Sequence, residues 1–130
     1  MYSFAQREDT KVVDEPLYAH YLKTTSADSY HPMAKEVLES MENDGSKVIH
    51  QMLNDDSMPI VFFKQMTHHL VDLDLAFLKN TINIILTRDP REMLPSFMKE
   101  IPNPSMKDVG YEQHIELLKQ LQSIRQTPIV

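Results

Sequence analysis

Residues Ile82-Asn83-Ile84-Ile85-Leu86 run directly into Thr87-Arg88-Asp89-Pro90-Arg91, a junction that predicts a strand followed at once by a helix. The apolar first half predicts a buried strand, whereas Asp89 followed by Pro90 predicts the N-cap and the first position of a helix. A strand that turns at once into a helix places the permanent cation of Arg88 at the carboxyl edge of a sheet, where open α/β folds bind phosphorylated ligands. The segment therefore predicts an anion site.

The helix that follows this junction carries two further signals. Glu92, at its third position, completes an aspartate version of the capping box. Pro95 removes a backbone hydrogen bond inside the helix, which predicts a kink or a restart. Ser96 follows Arg88 by eight positions and is expected near that bend.

The rest of the chain alternates short apolar runs with longer helical stretches. Residues 11–14 and 60–63 predict two more strands, and residues 127–130 resemble the start of another. Helices are predicted over residues 17–22, 33–41, 46–53 with Ser46 as its cap, 71–79 and 111–124. Apolar strands separated by helices are typical of a parallel sheet covered on both faces. The pattern predicts an α/β fold with a three-layer, doubly wound, mostly parallel sheet and flanking helices.

Polar groups follow each of the three predicted strands. Asp14 and Glu15 come after the first strand, Lys64 after the second and Arg88 after the third. If the strands are parallel, these groups share one edge, which suits an anionic substrate and a proton-transfer step. Glu15 is a candidate general base, although Asp14-Glu15-Pro16 also reads as an ordinary helix start with acidic residues at its N-terminus.

The stretch Thr87-Arg88-Asp89-Pro90-Arg91-Glu92-Met93-Leu94-Pro95-Ser96-Phe97 resembles the strand, the Arg-(Asn/Asp)-Pro turn and the downstream serine of the sulfotransferase family. That family belongs to the P-loop nucleotide-binding superfamily. The resemblance implies that Arg88 and Ser96 hold the 3′-phosphate of the donor, 3′-phosphoadenosine-5′-phosphosulfate. The alternative is an arginine paired with a neighbouring carboxylate such as Glu92 and a serine exposed on a helix.

Two further stretches sharpen the resemblance. Met1-Tyr2-Ser3-Phe4-Ala5-Gln6-Arg7 and Asp14-Glu15-Pro16-Leu17-Tyr18-Ala19 are similar to segments of the sulfotransferase-like domain of plant branched-chain-aminotransferase-like proteins and their bacterial relatives. Asp108-Val109-Gly110-Tyr111-Glu112 is similar to a later segment of the same group. There, the first strand and the phosphate-binding loop precede the Met-Tyr-Ser-Phe segment, so both would lie before Met1.

The phosphate-binding loop is the main departure from the family. The chain has two glycines and no G-x-x-x-x-G-K-[ST] pattern, so no loop of this type is present to cradle a 5′-phosphosulfate. Residues 1–130 are therefore interpreted as a single partial sulfotransferase-like α/β domain, truncated before Met1 and after Val130. Weak or absent donor binding and no turnover are expected of this chain by itself.

His68 and His69 are the candidate catalytic residues. Sulfotransferases carry a catalytic histidine shortly after the corresponding strand, and the resemblance implies that it takes the proton of the acceptor hydroxyl. The family's Lys-x-His spacing would place that histidine at Met66, so the register is shifted here. The alternative is a pair of structural histidines. Adjacent histidines usually point apart, so no metal is assigned to the pair.

The implied reaction is transfer of a sulfuryl group to the hydroxyl or amine of a small-molecule acceptor. Lys64 is a further candidate for binding the donor, together with Arg88 and Ser96. The alternative is a non-catalytic nucleotide-binding or docking domain. In either case the full-length protein is expected to carry a second, covalently linked domain of aminotransferase type.

Composition restricts the partners. The chain has 130 residues, a net charge of −6 and no cysteine, which excludes disulfides and thiolate zinc sites and argues against a nucleic acid or an anionic membrane as the main partner. No apolar run approaches the ~20 residues of a membrane helix, and no secretory signal opens the chain. The expected location is the cytoplasm, or an organelle if a targeting segment is missing.

Overall fold

The computed structural model describes residues 1–26, 29, 33–100, 103–104 and 109–130. The chain divides into two compact units, Met1–Asp74 and Leu75–Val130. The first contains α1 (Tyr2–Ala5), β1 (Thr10–Asp14), α2 (Tyr18–Thr25), α3 (Ala34–Ser40), α4 (Gly45–Leu53), β2 (Ile60–Lys64) and a 3-10 helix, Thr67–Leu70. The second contains a 3-10 helix, Leu75–Asn80, with α5 (Pro90–Glu100) and α6 (Tyr111–Ser123).

The first unit is built on a parallel pair of strands. β1 and β2 lie side by side with Thr10 opposite Ile60 and Asp14 opposite Lys64. Both strands are rich in β-branched and aromatic residues, which fit a pleated surface. The two predicted strands and their parallel direction are confirmed. Their carboxyl ends therefore meet at one edge of the sheet.

Helices cover both faces of this sheet. The ring of Phe4 in α1 stacks on Phe62 with 4.1 Å between ring centroids, which places α1 on one face. Phe63 points to the opposite face, because successive side chains alternate along a strand. There it lines a cavity with Val48 and Met52 of α4. The first unit thus has a helix, a sheet and a helix in three layers, and the doubly wound arrangement of a larger sheet stays a prediction.

The core of the first unit lies where α2 meets α3. Leu22 of α2 and Ala34 of α3 are buried, and the partly buried Tyr21, Val37 and Leu38 pack around them. Tyr18 packs there as well, and along each helix these positions repeat at three- and four-residue spacing, so one apolar stripe on each helix faces the other. The helices predicted over residues 17–22 and 33–41 are confirmed with small changes in their bounds.

Two predictions of helix limits are wrong in the first unit. Asp44, rather than Ser46, caps α4: its carboxylate accepts hydrogen bonds from the amides of Ser46 (3.0 Å) and Lys47 (3.2 Å). The helix predicted over residues 71–79 is not formed, and the 3-10 helix Leu75–Asn80 covers the second half of that range. Asp72 interrupts the predicted helix, because its φ of +49° is a left-handed conformation that a continuous α-helix does not contain.

In the second unit, the third strand predicted over residues 82–86 is not formed. Within the described part of the chain, the sheet has two strands, and residues 82–86 make a single parallel bridge, between Ile84 and Ile129. Ile129 supplies both hydrogen bonds, accepting from the Ile85 amide (2.8 Å) and donating to the Asn83 carbonyl (2.9 Å). One pair does not make a regular ladder, so Arg88 does not end a strand of the β1–β2 sheet.

The predicted burial of residues 82–86 is also wrong. Ile85 is 7% exposed, but Ile82 and Leu86 are 86% and 83% exposed. The segment is extended, so alternate side chains point to opposite sides and only one side is covered.

The helices of the second unit agree better with prediction. α5 begins at Pro90, as predicted, because the carboxylate of Asp89 accepts a hydrogen bond from the Arg91 amide at 2.9 Å. Pro95 lies inside α5, and the helix runs through it without a restart. α6 covers nearly all of the predicted residues 111–124, and it buries Leu121. Asp108 lies outside the described residues.

Candidate functional site

The carboxyl edge of the β1–β2 sheet carries a three-membered ion cluster. The ammonium of Lys64 contacts the carboxylate of Glu15 and lies 3.3 Å from that of Asp14. Partial burial by itself lowers the pKa of Lys64, but the hydrogen bonds and charges of Glu15 and Asp14 outweigh it, and the net pKa lies above its ordinary value. Of the four residues predicted to share one edge, Asp14, Glu15 and Lys64 are found together, with Lys64 held as a cation. The fourth, Arg88, belongs to the second unit.

This cluster is not arranged as an open anion site. Two carboxylates surround one ammonium, so the positive charge of Lys64 is already balanced within the protein. The backbone reinforces the pairing, because the Glu15 amide donates a hydrogen bond to the Lys64 carbonyl at 2.8 Å. Glu15 also has a φ of +46°, an uncommon conformation for a residue with a side chain. Glu15 is thus placed to hold Lys64.

His69 lies inside the first unit. It belongs to the 3-10 helix Thr67–Leu70 and is 2% exposed. Its ring stacks against Tyr18 of α2 with 5.2 Å between centroids and lies 5.0 Å from the ring of Tyr21. Burial among these rings withdraws His69 from solvent, so an acceptor molecule does not reach it in this conformation.

His68 lies at the surface of the same 3-10 helix. Its ring meets the ring of His69 nearly at a right angle, with 4.7 Å between centroids, and meets Tyr21 at 5.0 Å. The two adjacent histidines therefore have different environments: one is packed in the interior and the other is accessible. Of the two predicted catalytic histidines, His68 is the one that an acceptor can approach.

Arg88 and Arg91 have different partners in the second unit. Asp89 accepts hydrogen bonds from the guanidinium of Arg91, with one oxygen at 2.7 Å from Nη2, and this contact raises the pKa of Arg91 and lowers that of Asp89. Arg88 makes no side-chain hydrogen bond or ion pair with any described residue, Glu92 included. Asp89 therefore neutralises one arginine of the turn, and no carboxylate of the described residues balances the charge of the other.

Arg88 lines a cavity of about 150 Å³ in the second unit. The other lining residues are Leu86, Thr87, Met93, Val109, Tyr111 and His114. None of these side chains carries a negative charge, so the cavity is compatible with an anion beside Arg88. Ser96 lies exposed on α5 and is not among the lining residues. The structure thus brings Arg88, but not Ser96, to this cavity.

Tyr111 and His114 were not assigned a role from the sequence. The Tyr111 hydroxyl donates a 2.7 Å hydrogen bond to the Arg88 carbonyl, which ties the start of α6 to the turn at Arg88. The His114 ring lies 6.4 Å from the Tyr111 ring, nearly perpendicular to it. Their separation of three residues places them on one face of α6. That spacing is the one sequence signal that points to the pair.

The described ranges contain neither a metal-binding cluster nor a membrane-spanning helix. No group of three or more His, Cys, Asp or Glu residues among them is arranged to hold a metal ion. No helix within those ranges is long and apolar enough to cross a membrane.

Comparison with known proteins assigns the family. A family profile described as "Sulfotransferase domain" matches residues 1–125. No solved structure matches the chain.

Two curated proteins of Arabidopsis thaliana are similar over the whole chain. Branched-chain-amino-acid aminotransferase-like protein 1 is 38% identical over 132 aligned residues, which cover 100% of this chain and 23% of that protein. Branched-chain-amino-acid aminotransferase-like protein 2 is 35% identical with the same coverage of 100% and 23%. The chain therefore spans about a quarter of the length of these relatives.

Proposed function

Because this chain belongs to the sulfotransferase domain family, we propose that it binds 3′-phosphoadenosine-5′-phosphosulfate and takes part in sulfuryl transfer to the hydroxyl or amine of a small-molecule acceptor. The lengths of its relatives support a longer protein in which an aminotransferase-like domain is covalently attached.

The observation that carries the proposal is the unbalanced charge of Arg88. Asp89 pairs with Arg91, and no described residue offers a carboxylate to Arg88. Arg88 lies at a sharp turn, beside a cavity whose described lining residues carry no negative charge. It is therefore suited to a planar, charge-assisted contact with a phosphate. In this proposal the phosphate is the 3′-phosphate of the donor, and Ser96 contributes a hydroxyl when the nucleotide is bound.

The proposed chemistry is an in-line displacement at sulfur. The acceptor oxygen or nitrogen forms a bond to the sulfur, and the bond between the sulfur and the bridging phosphate oxygen breaks. The electron pair of the broken bond leaves with adenosine 3′,5′-bisphosphate. The proton of the acceptor passes to His68, which is accessible where His69 is buried. Glu15 and Lys64 form an ion pair with each other, and the ring of His69 packs edge to face against the ring of His68.

The proposed binding of the nucleotide is tested by titrating adenosine 3′,5′-bisphosphate into the 130-residue chain and following the backbone amides by NMR. This method detects millimolar affinities, which are expected where few contacts hold the ligand. Arg88→Ala is expected to weaken binding at least tenfold, because it removes a charge-assisted hydrogen bond. Arg91→Ala is the matched control, since Arg91 is already paired, and is expected to change affinity less than threefold. Equal affinities of wild type and Arg88→Ala would refute the proposal.

The second candidate is a nucleotide-binding or docking domain without catalysis. The balanced charge of Lys64 favours this second candidate, because a lysine held by two carboxylates is not available to neutralise the charge of a sulfuryl group during transfer. Sulfuryl transfer by the longer protein, measured with labelled donor, separates the two candidates. Turnover that His68→Asn abolishes supports the enzyme. Nucleotide binding without turnover supports the docking domain.

A further inference from the structure

We propose that His114 is a second anion-binding residue of the Arg88 cavity, donating a hydrogen bond from Nε2 to the anion that Arg88 contacts. The identification of that anion as part of a nucleotide rests on the proposed function, whereas the binding of an anion at this site does not. Neither the family resemblance nor the sequence pattern assigns a role to His114.

The first support is the connection between His114 and Arg88. Both residues line the cavity of about 150 Å³, and Tyr111 contacts both of them. Its hydroxyl donates to the Arg88 carbonyl at 2.7 Å, and its ring packs edge to face against the His114 ring at 6.4 Å. Tyr111 therefore fixes the backbone of one residue and the ring of the other.

The second support is the environment of the His114 ring. Nδ1 is buried and has no hydrogen-bond partner among the residues that the structure describes. A buried N–H without an acceptor is rarer in proteins than a buried acceptor without a donor. A neutral ring is therefore expected to leave Nδ1 as the unpaired acceptor and to carry its proton on Nε2. The Nε2–H group is then the donor that remains for a ligand oxygen.

The third support is the size and polarity of the cavity. Its volume of about 150 Å³ corresponds to roughly five water molecules. A phosphate group also has five non-hydrogen atoms, so it fits this space. The lining residues divide into polar ones, among them Arg88 and His114, and apolar ones, Leu86, Met93 and Val109. An anion attached to an organic group matches this division better than a free ion.

The binding test compares two substitutions of His114. His114→Phe retains a ring that packs on Tyr111 but removes the donor, and His114→Gln retains an N–H group near the position of Nε2. With adenosine 3′,5′-bisphosphate followed by NMR, we expect His114→Phe to weaken binding about tenfold and His114→Gln to remain within about threefold of wild type. The matched control is His50→Phe, the same change at an exposed histidine of α4, which is expected to have no effect.

The outcomes separate this inference from the proposed function. If Arg88→Ala weakens nucleotide binding and His114→Phe does not, the role of His114 is refuted and the proposed function stands. If inorganic phosphate binds, His114→Phe weakens that binding and the bisphosphate does not bind, then the anion-binding role of His114 is supported. The identification of the anion as a nucleotide is then refuted. If neither probe binds to wild type, the inference is refuted.

A second measurement needs no ligand. Long-range proton–nitrogen NMR spectra of the histidine rings give the tautomer of His114 in the free protein. A proton on Nε2 agrees with the inference, and a proton on Nδ1 refutes it.

Discussion

Gly45→Ala is expected to destabilise the first unit, because the space for a Cβ at this position is already filled. An added Cβ would lie 2.6 Å from Cδ2 of Leu73 and 2.8 Å from Nδ1 of His20. Carbon atoms in favourable contact are about 3.5–4.0 Å apart, so one or both side chains must move by roughly 1 Å. Gly45 is thus required by packing rather than by its backbone conformation.

The two neighbours differ in their freedom to move. The contact with Leu73 is at the end of a flexible side chain, which can rotate at a cost of roughly 0.5–1.5 kcal/mol. The His20 ring is buried, and its Nε2 donates a 2.8 Å hydrogen bond to the Val71 carbonyl while Nδ1 faces the Thr24 hydroxyl at 3.4 Å. Displacing the ring weakens that bond, worth about 1 kcal/mol.

The net effect combines overpacking with helix propensity. Overpacking of a core typically costs about 1–3 kcal/mol. Alanine gains up to about 1 kcal/mol over glycine inside a helix, and less at the first position of α4, where Gly45 lies. We therefore expect Gly45→Ala to lower the free energy of unfolding of the first unit by about 1–2 kcal/mol.

The assay is urea denaturation followed by two-dimensional NMR, which reports residues of the first unit separately from those of the second. Ser46→Ala is the matched control: it is the next residue of α4, its side chain is exposed, and its amide keeps the bond to Asp44. The control is expected to be as stable as wild type. A Gly45→Ala protein that equals or exceeds wild type in stability would refute the packing argument.

Two predictions concern acidic residues. Hydrogen bonds from Lys11 and Ser57 lower the pKa of Asp55 from 3.8 to about 2. The ionised carboxylate of Asp55 therefore stabilises the folded state fully above pH 3.8, and this stabilisation is lost as the pH falls through about 2. Urea midpoints measured from about pH 5 to about pH 2 should fall less steeply in Asp55→Asn than in wild type, and parallel curves would contradict this. Asp89→Asn keeps an oxygen that can accept the hydrogen bond from the Arg91 amide, whereas Asp89→Ala removes this cap. Only the alanine variant is therefore expected to lower the Tm, by about 2–4 °C. Equal melting temperatures in circular dichroism would refute the capping role.

The strands of the first unit could be predicted because their composition and their environment agree. Residues 10–14 and 60–64 pair along their whole length and lie between helices on two faces. Residues 82–86 have an equally apolar sequence, yet they form one bridge and leave Ile82 and Leu86 exposed. Hydrophobicity reports what a segment can bury, but the pairing of a strand depends on a distant partner that a local pattern does not contain.

The helix starts show the same distinction between local and distant information. The cap at Asp89 was predicted because it depends on the adjacent residues, and its carboxylate does bond the Arg91 amide. The cap at Asp44 was missed because Ser46 is also a good capping residue, so the sequence offers two possible helix starts two residues apart. The pair formed by Tyr111 and His114 could not be connected to Arg88, because that contact joins residues 23 positions apart.

The two cations proposed for donor binding show why charge alone does not identify an anion site. Lys64 and Arg88 are both cations that follow apolar segments of the sequence. The strand register places Asp14 opposite Lys64, and the turn after β1 brings Glu15 to the same ammonium. Arg88 has no such partner among the residues that the structure describes, and the adjacent carboxylate, that of Asp89, is occupied by Arg91. Pairing therefore balances the charge of Lys64 and leaves that of Arg88 available for an anionic ligand.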